Sequence, residues 1–90
     1  MAHFVMVQGK IKDFKTWKAA YDAHISVRKE FGLGDDQIFQ STDDPNQIVI
    51  ILKAADLNRA KAFMADPSVQ EVISKSGVVG TPDIHFLEKS

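Results

Sequence analysis

In the stretch DFKTWKAAYDAHISVRKEFG, residues 13–32, four side chains with chemical potential recur at helical spacing: Trp17, Tyr21, His24 and Arg28. At about 100° per residue they fall on one broad helix face together with Phe14, Ala20, Ile25, Val27 and Phe31. Trp17, His24 and Arg28 lie near its centre, and Lys15, Asp22, Ser26, Lys29 and Glu30 lie opposite. An imidazole can accept a proton near neutral pH. A guanidinium can stabilise a developing oxyanion. Indole and phenol rings can shape an apolar slot, and their polar ends need partners when buried. A polar cavity that holds an anionic or enolate-like ligand would account for the group. The alternative is structural: an aromatic stripe that is simply core, a satisfied core histidine, and an Arg28 that snorkels or meets the helix dipole near the helix end. Two facts weigh on that alternative. An unpaired buried charge is costly, and His24 and Arg28, one turn apart, can both carry positive charge.

The elements that must position these residues can be read along the chain. HFVMVQGKI (3–11) is strand-like. Asp13 is a good N-cap, and the spacing predicts one helix that runs to Phe31 and stops at Gly32. DQIFQST (36–42) and QIVIILKA (47–54) are strands, joined by the turn chemistry of DDPN (43–46) into an antiparallel hairpin. Asp56 caps a second helix through Met64. DPSVQEVISKSG (66–77) restarts it, with Asp66 as cap, Pro67 at the first helical position and Gly77 past the end. The second helix is therefore predicted to be broken near Asp66-Pro67. TPDIHFLEK (81–89) is a last strand, with Pro82 confined to an edge or entry position. The order β-α-β-β-α-β predicts a ferredoxin-like α+β fold. Right-handed crossovers then place both helices on one face of a four-stranded antiparallel sheet.

A sheet with one wet face should alternate apolar and polar residues. Here Ile48, Ile50 and Leu52 point one way while Val49 and Ile51 point the other, and Phe4 and Met6 oppose Val5 and Val7 in the same manner. Both faces call for burial. The simplest cover for the second is another copy of the chain, a homodimer formed through the sheet face.

Ninety residues, 44 % of them hydrophobic, suit one globular domain spanning 1–90. Cysteine is absent, which rules out disulfides and thiolate–metal sites. A formal net charge of −1 argues against nucleic acid as a partner. No apolar run approaches the ~20 residues of a membrane span, and MAHFVMVQGK lacks the pattern of a signal peptide. A cytoplasmic protein with no membrane partner is the expectation. His3, His24 and His85 show no metal-ligand spacing, so no metal site is expected. VQG (7–9) is found in acylphosphatases of the same element order, but Lys10-Ile11-Lys12-Asp13 follows it without a phosphate-cradling loop or arginine.

DFKTWKAAYDAH with Arg28 after it, DDPNQIVIIL, AKAFMADPSVQEV and SGVVGTPDIHFLE together resemble the dimeric α+β barrel superfamily. The chain is similar to its small stand-alone members, the antibiotic biosynthesis monooxygenase-like and cyclase-like proteins, from the first strand to Glu88. That resemblance implies a ligand cavity between sheet and helices. It also implies an aromatic or polyketide-like substrate that reacts with oxygen without metal, flavin or other cofactor. Carried onto this sequence, His24 and Arg28 would be catalytic, and Trp17 and Tyr21 would bind substrate. The asparagine used by characterised monooxygenases has no match, since Asn46 lies in a turn and Asn58 starts the second helix. The first strand also lacks the asparagine of the heme-degrading relatives. The alternative is a non-catalytic ligand-binding or stress-related structural dimer.

Overall fold

Three aspartates start three of the four helices in the computed structural model, which describes residues 2–90. Asp13 precedes α1 (Phe14–Ala23) in extended backbone, and its carboxylate accepts from the Thr16 amide at 2.9 Å. Asp56 does the same for α3 (Leu57–Ala65), accepting from the Asn58 amide at 2.9 Å. Asp66 caps α4 (Pro67–Lys75), accepting from the Ser68 amide at 2.8 Å. Each carboxylate satisfies a donor that has no partner within the helix. α3 and α4 are separated by Asp66 alone, so the second helix breaks where the sequence predicts.

The first helix is not the single rod predicted. α1 ends at Ala23, His24 sits at φ −98°, ψ 11°, and a second segment, α2 (Ile25–Glu30), follows. Neither proline nor glycine marks the break. Gly32, at φ 77°, ends the arm where expected. The two arms are tied together by Arg59 of α3, which donates to the Glu30 carbonyl and lies 5.9 Å over the Phe31 ring.

The strands are β1 (His3–Ile11), β2 (Leu33–Gln40), β3 (Gln47–Ala54) and β4 (Val78–Glu88), all antiparallel in the order β2-β3-β1-β4. Two strands start earlier than expected. β2 begins at Leu33 and carries a bulge between Gly34 and Gln37, with Asp35 at φ 48°. β4 begins at Val78 and carries Pro82 inside it. That is tolerated because β4 is an edge strand and its register with β1 shifts between Gln8 and Lys10. Gly9 stands at this shift, where a Cβ would lie 3.3 Å from the Pro82 Cβ.

Alternation assigns the two faces of the sheet. Val5, Ile11, Ile48, Ile50, Leu52 and Ala54 are buried under Trp17, Ala60, Phe63, Met64 and Val69. On the other face Met6, Val49 and Ile51 are half-buried, while Phe39, Val79 and Leu87 are 49 %, 48 % and 38 % exposed. His85 pairs opposite Met6 on that face. His3 pairs opposite Glu88 on the helix side, its Nε2 3.2 Å from the Glu88 carboxylate. Adjacent strands thus carry these histidines to opposite faces. No three metal-ligating side chains come together among the described residues. No described helix is long and apolar enough to cross a membrane.

Candidate functional site

Between the helix-side face of the sheet and the helices lies a cavity of about 90 Å³. One wall is the sheet, through Val7 and Ile11 of β1 and Ile48, Ile50 and Leu52 of β3. Another is aliphatic and aromatic, from Phe63 and Met64 of α3 and Val69, Val72 and Ile73 of α4. The remaining wall comes from the first arm. Trp17, Tyr21, His24 and Arg28 all line the cavity.

Helical spacing stacks three of these four into a column. The Trp17 and Tyr21 rings are 5.0 Å apart and nearly parallel, with Phe14 5.8 Å beyond Trp17. The Arg28 guanidinium carbon lies 3.6 Å from the Tyr21 ring centroid. A desolvated contact of this kind contributes about 2 kcal/mol. Arg28 is only 6 % exposed, the one buried charged residue among those described. Its Nη1 donates to the Tyr21 carbonyl at 2.6 Å.

The break at His24 explains why that carbonyl is within the guanidinium's reach. The His24 amide donates to it at 3.1 Å in a tightened turn, and Arg28 supplies a second donor from about two turns on. No carboxylate forms an ion pair with Arg28 among the described residues. Its Nε and Nη2 groups have no protein acceptor there, yet no fully enclosed polar atom is left unsatisfied. These donors therefore keep contact with open space. Among the described residues, the Tyr21 carbonyl and the face of its ring are what meet this buried charge.

The other polar groups divide by what already holds them. The Tyr21 hydroxyl donates to the Asp36 carboxylate at 2.9 Å. Burial pushes the Tyr21 phenol well above its ordinary range; the Arg28 charge opposes this, and the Asp36 bond adds to it. Tyr21 thus stays neutral at physiological pH, its hydroxyl held by Asp36. The Ser76 hydroxyl is occupied by the Ile73 carbonyl at 2.6 Å. The indole N–H of Trp17, a residue 4 % exposed, has no acceptor among the described residues. His24 is half-buried at the α1–α2 junction, and its ring makes no cap bond.

Asp36 joins the site without a sequence motif of its own. Its only local signal is a pair of acidic residues after Gly34 at the start of β2, and the bulge there turns one of them toward Tyr21. Phe63, Met64 and the α4 aliphatics also complete the site without a distinguishing motif, since they read simply as core.

No protein-family model matches the sequence, and no curated protein matches it by sequence. The protomer shares its fold with solved structures described as antibiotic biosynthesis monooxygenases and cofactor-independent oxygenases. SnoaB, a cofactor-independent oxygenase from Streptomyces nogalater, superposes with a TM-score of 0.77 at 10 % identity, over 99 % of this chain and 93 % of that one. A monooxygenase from the ActVA-Orf6 gene of Streptomyces coelicolor, solved with nanaomycin D, gives 0.69 at 18 % identity, over 99 % and 88 %. A conserved protein from Methanosarcina mazei Go1 gives 0.76 at 14 % identity, over 100 % and 94 %. Identities this low establish a shared fold and leave the chemistry to the site.

Proposed function

We propose that this chain is a one-domain, homodimeric, small-molecule-binding protein that acts as a cofactor-independent monooxygenase or cyclase on an aromatic or polyketide-like substrate. The observation that carries the reading is the buried Arg28 guanidinium, without a carboxylate partner among the described residues, lining an apolar cavity with His24. His24 takes a proton from the substrate, and Arg28 holds the negative charge that develops on oxygen. Trp17 and Tyr21 flank the ring. The activated ring carbon then reacts with dioxygen: one oxygen atom is added to that carbon and the other leaves as water, the substrate supplying the electrons, as when a quinol becomes a hydroxyquinone.

The exposed Phe39, Val79 and Leu87, with Met6, Val49 and Ile51 between them, support a second copy as the cover of the open sheet face. Sedimentation at micromolar concentration is expected to give a dimer.

A second reading, ligand binding without catalysis, is favoured by one feature. Neither ring nitrogen of His24 has a hydrogen-bond partner among the described residues to orient it as a base. Oxygen uptake with hydroxy-anthrone or quinol substrates, by metal-free protein and by His24→Ala, separates the two. Loss of uptake in the variant supports catalysis. Equal rates remove His24 from the mechanism, and binding without turnover supports the second reading.

A further inference from the structure

We propose that the cavity selects a single-ring planar anion whose two neighbouring oxygens meet the open Nε–Nη2 edge of Arg28. This rests on the small-molecule reading of the same site and names its substrate class.

Size comes first. The cavity measures about 90 Å³, whereas an apolar cavity of about 150 Å³ is what encloses one benzene ring. A single ring therefore already exceeds the enclosed space and must reach into the opening. A second fused ring needs a wall to recede. The sheet wall is the hydrogen-bonded centre of the fold, β1 and β3. The opposite wall is packed from behind: Phe63 is 4 % exposed and makes an edge contact with Phe31 at 5.2 Å, and Val69 is 2 % exposed.

Charge geometry is the second constraint. One flat side of the guanidinium is covered by Tyr21 at 3.6 Å, and one Nη1–H is committed to the Tyr21 carbonyl. The donors left over include the Nε and Nη2 fork, which matches two coplanar oxygens and discriminates against a single oxygen. Most of the rest of the lining is aliphatic, so the hydrocarbon part of the ligand is buried and only one negative charge is compensated.

Two ligand chemistries present such an oxygen pair on one ring: a ring carboxylate, or two oxygens on adjacent ring carbons sharing one charge. Benzoate and tropolonate probe them separately, and 1-naphthoate and anthracene-9-carboxylate extend the ring system. Calorimetric titration of the full chain is expected to show benzoate, tropolonate or both binding at least about ten-fold more tightly than naphthoate, with no binding of the three-ring acid. Arg28→Lys keeps the charge and loses the fork, so affinity for the one-ring probe should fall about ten-fold or more. Its thermal melt reports that the fold persists. Ile73→Ala, at a half-buried lining residue, should narrow the gap between naphthoate and benzoate.

Tight binding and turnover of three-ring substrates with weak one-ring binding would overturn the size inference while leaving the proposed function standing. One-ring binding unchanged in Arg28→Lys overturns the fork. Failure of anions of every size to bind overturns both the inference and the reading beneath it.

Discussion

The first helical arm, α1 with α2, and the second, α3 with α4, are each interrupted at one residue, and the causes differ. At Asp66 the explanation is local. The residue is extended (φ −69°, ψ 123°), its carboxylate accepts from both the amide and the hydroxyl of Ser68, and Pro67 has no N–H to leave unpaired. At His24 no such chemistry exists. The backbone sits at φ −98°, ψ 11°, in the sparsely populated bridge region where active-site residues recur. Its side chain caps nothing. What meets the displaced Tyr21 carbonyl is the Arg28 guanidinium from α2, held on the Tyr21 ring at the cavity wall. The comparison separates a break written by neighbouring residues from a break stabilised by a side chain that also faces the candidate site.

The largest expected effects test what the arms share. Trp17 and Phe63 anchor the first and second arms in one core, at 4 % exposure each. Trp17→Ala and Phe63→Ala are each expected to cost about 3–5 kcal/mol in chemical denaturation. A cost under about 1 kcal/mol for Trp17→Ala would mean that its arm is not anchored in the core.

The next test separates the arms. Arg28→Met removes the extra donor to the Tyr21 carbonyl, so amide exchange around residues 24–28 should quicken about ten-fold or more. Exchange around residue 66 should not change. Asp66→Ala should do the reverse. Unchanged exchange near His24 in Arg28→Met would show that the first break needs no guanidinium.

A smaller effect sharpens the functional side of the contrast. Asp66→Ala is expected to lower the melting temperature by about 5 °C through loss of the cap and to leave ligand affinity intact. His24→Ala removes no cap bond, so its melting temperature should stay close to that of the parent while turnover is lost. A large fall in stability in His24→Ala would make the residue structural.

The smallest effect is with pH. Hydrogen bonds from Thr16 and Ser68 hold the Asp13 and Asp66 carboxyls below the ordinary value of 3.8. A depressed folded-state pKa contributes stability that is present above the unfolded value and is lost as pH falls through the folded one. Neither carboxylate is buried, so the loss is modest and confined to pH below about 4. Helical circular dichroism should decline there while remaining flat from pH 5 to 7. A decline already at pH 6 would point to a different titrating group.

Much of the fold was legible because its signals are local. Asp13, Asp56, Asp66-Pro67, Gly32 and the DDPN turn act through hydrogen bonds and φ angles within a few residues, so each could be read in place. The unbroken apolar runs of β1 and β3 likewise announced a sheet that wants cover on both faces. The helical period placed Trp17, Tyr21 and Arg28 on one side of the first arm, because about 100° per residue is a property of the backbone alone.

What the sequence by itself could not determine lies in contacts between distant residues. At the break, a guanidinium reaches back seven residues to the Tyr21 carbonyl. The early start of β2 depends on register with β3, and that of β4 on register with β1. Asp36 reaches Tyr21 from fifteen residues away, across a bulge that no turn motif announces. Whether Arg28 would face solvent, an acid or a cavity also depended on what the other elements brought to it. The sequence determined the elements and the face each would bury, since periodicity and capping are short-range. Only the tertiary structure decided that a buried guanidinium, a neutral phenol and a half-buried imidazole would share one small apolar space, because that depends on side chains from α3, α4 and the sheet closing around them.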